Sequence, residues 1–178
     1  SKNIRLKYNT NLVKVPPWLL DRWTHFKRVQ LNCSIDAVGA LDHYIRHPSK
    51  WDIIVKNFET VRQLPNVNIE IHCTVQMYNI LRLHELVEWA KPYGHKIYLN
   101  ILNHPDYLNV RVLPKNLKEQ AKKSLQEHLD VPKMQGLIDY MYAEDWSNKL
   151  PDFFKYTKTL DESRNENLFV IIPEFGNV

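Results

Sequence analysis

The sequence predicts an α/β fold, with four mainly parallel strands followed by a helical C-terminal segment. Three observations predict it. Four short stretches read as strands, by alternation or by an apolar run. Stretches of helical periodicity separate them, and a parallel neighbour needs such a crossover. After Pro114 the strand signals stop and only helical patterns remain. Residues 1–113 are thus βα-type and residues 114–178 helical.

Each element has its own warrant. "IRLKY" (Ile4–Tyr8) alternates apolar and basic residues. Pro16 and Pro17 open "PPWLLDRWTHF", where Pro is tolerated in a first helical turn. Strand two is "RVQLNCSI" (Arg28–Ile35). Helices are expected in "AVGALDHYIRH" and in "SKWDIIVKNFETVRQL", the latter with Ser49 as N-cap. Strand three is "NVNIEIHCTV" (Asn66–Val75). In "NILRLHELVEWAKPYG" an apolar stripe of Ile80, Leu83, Leu86, Val87 and Ala90 predicts a helix that stops at Gly94. Strand four is "HKIYLNIL" (His95–Leu102). Three helices follow, "PKNLKEQAKKSLQEHL", "PKMQGLIDYMYAED" and "NKLPDFFKYTKTLDESRNENL", the first two opening at proline. The chain begins almost on a strand whose outer edge lacks a neighbour. That favours the back part of a longer protein over an edge covered in some other way.

Composition narrows the function classes. With 178 residues, 44% hydrophobic and 25% charged, the chain has the make-up of one ordinary globular core. No apolar run approaches the roughly 20 residues of a membrane span, so no membrane partner is expected. The absence of a signal-peptide pattern at "SKNIRLKYNTN" makes a cytoplasmic location the expectation. Cys33 and Cys73 both fall inside expected strands, which argues against a disulfide scaffold. A net charge of +4 permits an acidic partner without demanding one. The basic cluster "LPKNLKEQAKK" reads as a solvated helix face, and the tryptophans, mostly at helical spacing, as core packing rather than a base-stacking platform. Nucleic-acid binding is therefore not expected.

Polar residues collect at the carboxyl ends of the strands, the reactive end of parallel α/β folds. Strand one runs into Asn9, Thr10 and Asn11; strand two into Ser34 and Asp36; strand three into Thr74 and Gln76, with Asn79 beyond; strand four carries Asn100, then Asn103 and His104. Each tip alone is an ordinary strand end or cap. Asn32 and Asn100 lie within strands, where a cap is not needed. Small neutral hydrogen-bonding groups suit a polar, zwitterionic or nucleoside-like ligand. With Asp36 as its one obvious acid, the rim does not suit paired-carboxylate hydrolysis.

Other constellations are weaker. "DHYIRH" sets His43 and His47 four apart on one helix face, a metal-binding spacing, but no third ligand is near in sequence. An exposed polar face is the expectation there. "NCSID" lacks the GxSxG elbow of a serine nucleophile. Cys33 with His72 would make a thiol–imidazole pair, yet a buried core thiol explains Cys33 better. The four glycines are too scattered for a phosphate loop.

"LKYNTNL", "VQLNCSIDAVGALDHYIRHPSKW", "HCTVQMYNILRLHELVEWA" and "NILNHPDYLNVRVLP", with "SRNENL" near the C-terminus, resemble the later half of a radical S-adenosylmethionine (radical SAM) protein of the twitch- or SPASM-related branch. The resemblance implies that residues 1–113 are strands three to six of a partial (β/α) barrel, with residues 114–178 packed on it. It implies S-adenosylmethionine as cofactor, and a [4Fe–4S] cluster held on a CxxxCxxC loop only in a full-length protein with the missing N-terminal half of the barrel. A 5′-deoxyadenosyl radical formed there would modify a substrate, expected to be a peptide or protein. Asn9, Asn11, Ser34, Asp36, Arg46, Thr74, Gln76, Asn100 and Asn103 would line the cofactor site, with Ser34 on its amino-acid or ribose part. Arg46 would pair with its carboxylate. CxxxCxxC and the glycine–glycine–glutamate motif do not occur in the chain, and Ala37 stands where the family usually has glycine. The alternative is a non-catalytic half-barrel that binds or docks a partner.

Overall fold

A computed structural model describes residues 3–178. Strands β1 (Arg5–Thr10), β2 (Arg28–Ser34), β3 (Val67–Val75) and β4 (Lys96–Ile101) form one sheet in the order β1-β2-β3-β4, every pair parallel. The helices are α1 (Pro17–Thr24), α2 (Gly39–Ile45), α3 (Trp51–Arg62), α4 (Leu83–Ala90), α5 (Lys115–Leu125), α6 (Met134–Ala143), α7 (Leu150–Arg164) and α8 (Leu168–Ile171). The α/β class and parallel sheet read from the sequence are therefore present. Spatial order equals chain order with no reversal. Right-handed crossovers then carry every connecting helix to the same face of the sheet.

Alternation along the strands separates the two faces. Val29, Leu31 and Cys33 of β2, Ile69, Ile71, Cys73 and Val75 of β3, and Ile97 and Leu99 of β4 are buried beneath the helices. Burying an aliphatic side chain of this size contributes about 1.5–3 kcal/mol. One continuous apolar cluster runs from Leu12 to Phe175, so the C-terminal helices share the core of the sheet. Polar ties fasten them: Tyr44 donates to Asp161 at 2.8 Å, Tyr78 bonds Thr157 at 2.7 Å, and Arg82 meets Glu174 twice at 3.2 Å.

Local departures from the sequence reading have local causes. Lys50, not Ser49, is the N-cap of α3 and makes no side-chain cap. Ser49 is buried, and its hydroxyl has no partner. The helix expected from Asn79 splits into a 3-10 turn (Ile80–Arg82) and α4. Pro132 does not open α6, because Lys133 takes a left-handed conformation (φ 70) before the helix starts at Met134. The last expected helix breaks at Asn165 (φ 53, ψ 46), a residue type that tolerates the left-handed region. On α5, Lys115 and Lys123 are exposed as read, but Lys118 is only 5% exposed and donates to the Glu144 carbonyl at 3.2 Å. Trp18 is 62% exposed, contrary to core packing. The described residues include no helix long and apolar enough to cross a membrane.

Candidate functional site

The sheet face opposite the helices is polar, and its residues stand in register. One row across the strands is Asn9, Asn32, Glu70 and Lys96. The row toward the strand tips is Ser34, His72 and Tyr98, and above it Thr74 faces Asn100. The row below holds Lys7, Gln30 and Asn68. Parallel sheets ordinarily have both faces covered, and their strands then read as unbroken apolar runs. Here every second residue is hydrophilic, so this face is built for water or a polar ligand.

A hydrogen-bonded network runs through these rows. Asn32 donates to Asn9 Oδ1 at 2.9 Å. Gln30 donates to Glu70 at 2.5 Å and lies 3.4 Å from Asn32 Oδ1. Tyr98 donates to Glu70 at 3.4 Å, and its ring stacks on His72 with centroids 4.9 Å apart. His72 Nε2 is 3.8 Å from Glu70 Oε2. Glu70, its side chain 14% exposed, is therefore the anionic centre of the face.

The sequence-predicted residues divide into three groups. Asn9, Ser34, Thr74 and Asn100 share the uncovered face. Asp36 and Arg46 are turned onto each other: Arg46 Nε donates to Asp36 Oδ2 at 2.9 Å, and Thr74 N–H donates to Oδ1 at 2.7 Å. Burial raises the Asp36 carboxyl above its ordinary range, against the opposing pull of Arg46 and the Thr74 N–H. The pair clamps the tips of β2 and β3 to α2. Asn79, fully buried, completes the clamp by donating to the Asp36 and Thr74 carbonyls, each at 2.9 Å. The remaining residues serve turns or the interior. Asn11 accepts from Val13 N–H at 3.2 Å, Asn103 accepts from Tyr140 at 3.0 Å, and Gln76 is 8% exposed.

Sequence reasoning passed over Gln30, Glu70 and Tyr98, although the alternation that marks them was present. These residues lie mid-strand, away from the strand tips where ligand-binding residues of parallel folds collect. Cys33 and His72 sit on opposite faces of the sheet, so the thiol–imidazole pair cannot form. Burial pushes the Cys33 thiol up to about 12 and raises Cys73 well above its ordinary range. Ala37 needs no positive φ; Gly39 (φ 61) supplies the left-handed turn two residues later. A cleft of about 620 Å³ lies elsewhere, walled by C-terminal residues such as Phe154, Asp161 and Phe169.

Comparison with protein-family models, with curated proteins and with solved structures finds no match for this chain.

Proposed function

We propose that the uncovered polar face binds S-adenosylmethionine, and that the chain is one wall of a radical SAM-type barrel. The observation that carries this reading is the face itself: a parallel sheet covered by helices on one side only, with Asn9, Ser34, Thr74 and Asn100 aligned on the other. Neutral Asn9, Ser34, Thr74 and Asn100, with Glu70 as the carboxylate of the face, suit a zwitterionic nucleoside with a cationic sulfonium. Ser34 and Thr74 would hold its amino-acid or ribose part, with Asn9 and Asn100 at the flanks. Arg46 is already matched by Asp36, so a role on the cofactor carboxylate requires that pair to open.

An iron–sulfur cluster does not fit this chain's own residues. Its ligands are three or four convergent thiolates, whereas the chain has two cysteines, and burial in the apolar core holds Cys33 and Cys73 as thiols. A cluster, where present, would be held by a CxxxCxxC-bearing half of the barrel closing over the polar face. There it would supply the electron that cleaves the cofactor for modification of a peptide or protein. The same need for a cover favours the second reading, a non-catalytic half-barrel that docks a polypeptide partner.

Titration calorimetry with S-adenosylmethionine tests the proposal. Saturable binding is expected, weakened at least about tenfold, or roughly 1.4 kcal/mol, by Ser34→Val combined with Thr74→Val. Both substitutions suit strands and leave the Asp36–Arg46 side-chain bond in place. No saturable binding, or equal affinity in the double variant, would overturn it.

A further inference from the structure

We infer that His43, His47 and Glu166 form a binding site for a divalent transition metal, with zinc the best match. The histidines come from the α2 region and the carboxylate from the short link between α7 and α8. One donor atom from each residue lies within 4.8 Å of the other two. His47 Nδ1 stands 3.2 Å and His43 Nε2 3.6 Å from the same oxygen, Glu166 Oε1. Zinc holds nitrogen and oxygen at about 2.0–2.2 Å, which places neighbouring tetrahedral ligands about 3.4 Å apart. The two measured separations bracket that edge.

A second observation points the same way. His43 Nδ1 contacts the Ser49 carbonyl, which can only accept, so Nδ1 carries the proton. In the neutral ring the lone pair then sits on Nε2, 3.6 Å from a carboxylate oxygen. A cation between them relieves that repulsion. This is also the arrangement by which a backbone carbonyl fixes the tautomer of a ligating histidine. Glu166 Oε2 is buried without a hydrogen-bond partner. The Arg164 guanidinium, 4.0 Å from Oε2 and anchored on the Tyr44 carbonyl at 3.3 Å, offsets charge on the far oxygen and leaves Oε1 to the imidazoles. The His43 and His47 side chains are 42% and 34% exposed, so an ion can enter, and a water can complete its coordination. Two imidazoles and one carboxylate select zinc and its late-transition neighbours over magnesium.

The ion would staple the C-terminal helices to α2, where Tyr44–Asp161 already joins them. Thermal unfolding of the chelator-treated chain, with and without Zn2+, provides the test. At about 100 times its Kd, Zn2+ should raise Tm by roughly 5–10 °C. His47→Ala and Glu166→Gln should each abolish the rise. If Glu166→Gln destabilises the chain by unpairing Arg164, His47→Ala, at a half-exposed position, still decides. No rise with Zn2+ would overturn the proposal. An equal rise with Mg2+, or a rise that survives in His47→Ala, would overturn it as well.

Discussion

Asp42 shows how a single buried carboxyl couples this fold to pH. It is 0% exposed; Oδ1 accepts from Asp36 N–H at 3.3 Å, and Oδ2 has no partner. Burial pushes its pKa up to about 6 from an ordinary 3.8, against the pull of the Asp36 N–H and Arg46. The folded value exceeds the unfolded one, so the fold favours the protonated form. That contribution is fully present below about pH 4 and is lost as pH rises to about 6. Asp42→Asn should therefore gain on the natural chain across this window by up to about 3 kcal/mol. Urea denaturation of both proteins at a series of pH values measures the difference, and parallel curves would acquit Asp42. Asp42 was read only as part of a helix, because its environment is assembled from β2, α2 and the neighbouring turn.

At the scale of elements, the break at Asn165 is the consequential feature. The sequence reading ran one helix through "SRNENL", since nothing in Asn, Glu or Ser forbids a helix. The structure stops α7 at Arg164 and turns the chain through a left-handed Asn165, whose N–H bonds the Asp161 carbonyl. That turn places Glu166 opposite His43 and His47. A left-handed residue with a Cβ costs about 1–2 kcal/mol, which Asn partly escapes. Asn165→Ala should lower stability by about 1 kcal/mol, and Asn165→Gly should leave it within about 0.5 kcal/mol of the natural chain. Denaturant midpoints would show this ordering, and equal midpoints would remove the turn from the account. His47 also lies past the end of α2, so the i, i+4 spacing on a helix is not what brings the two rings together.

For the whole molecule, the one-sided sheet governs behaviour. β2 and β3 have a strand on each side, whereas β1 pairs only with β2 and most of its residues are exposed. Amide exchange should therefore be fastest in Arg5–Thr10 and slowest in β2 and β3. Uniform protection across the sheet would mean that β1 is covered in solution, as docking of a further strand on that edge would produce. S-adenosylmethionine binding and protection of β1 are independent readouts, so a binding wall and a docking wall can be told apart.

Strand identity, parallel pairing and the polar strand tips were legible in the sequence, because period-two alternation and crossover length are local properties of the chain. The inward turn of Asp36 and Arg46 was not, and neither was the central role of Glu70. Both depend on register between strands distant in sequence: Asn32 faces Glu70, and Thr74 lies within reach of Asp36. The third member of the histidine cluster was hidden for the same reason. Glu166 is 119 residues from His47 along the chain, and only the packing of α7 and α8 against α2 brings them within 3.2 Å. The sequence by itself determined which residues alternate and where strands give way to helices. The tertiary structure decided which polar groups satisfy one another and which remain on a surface for something else to bind.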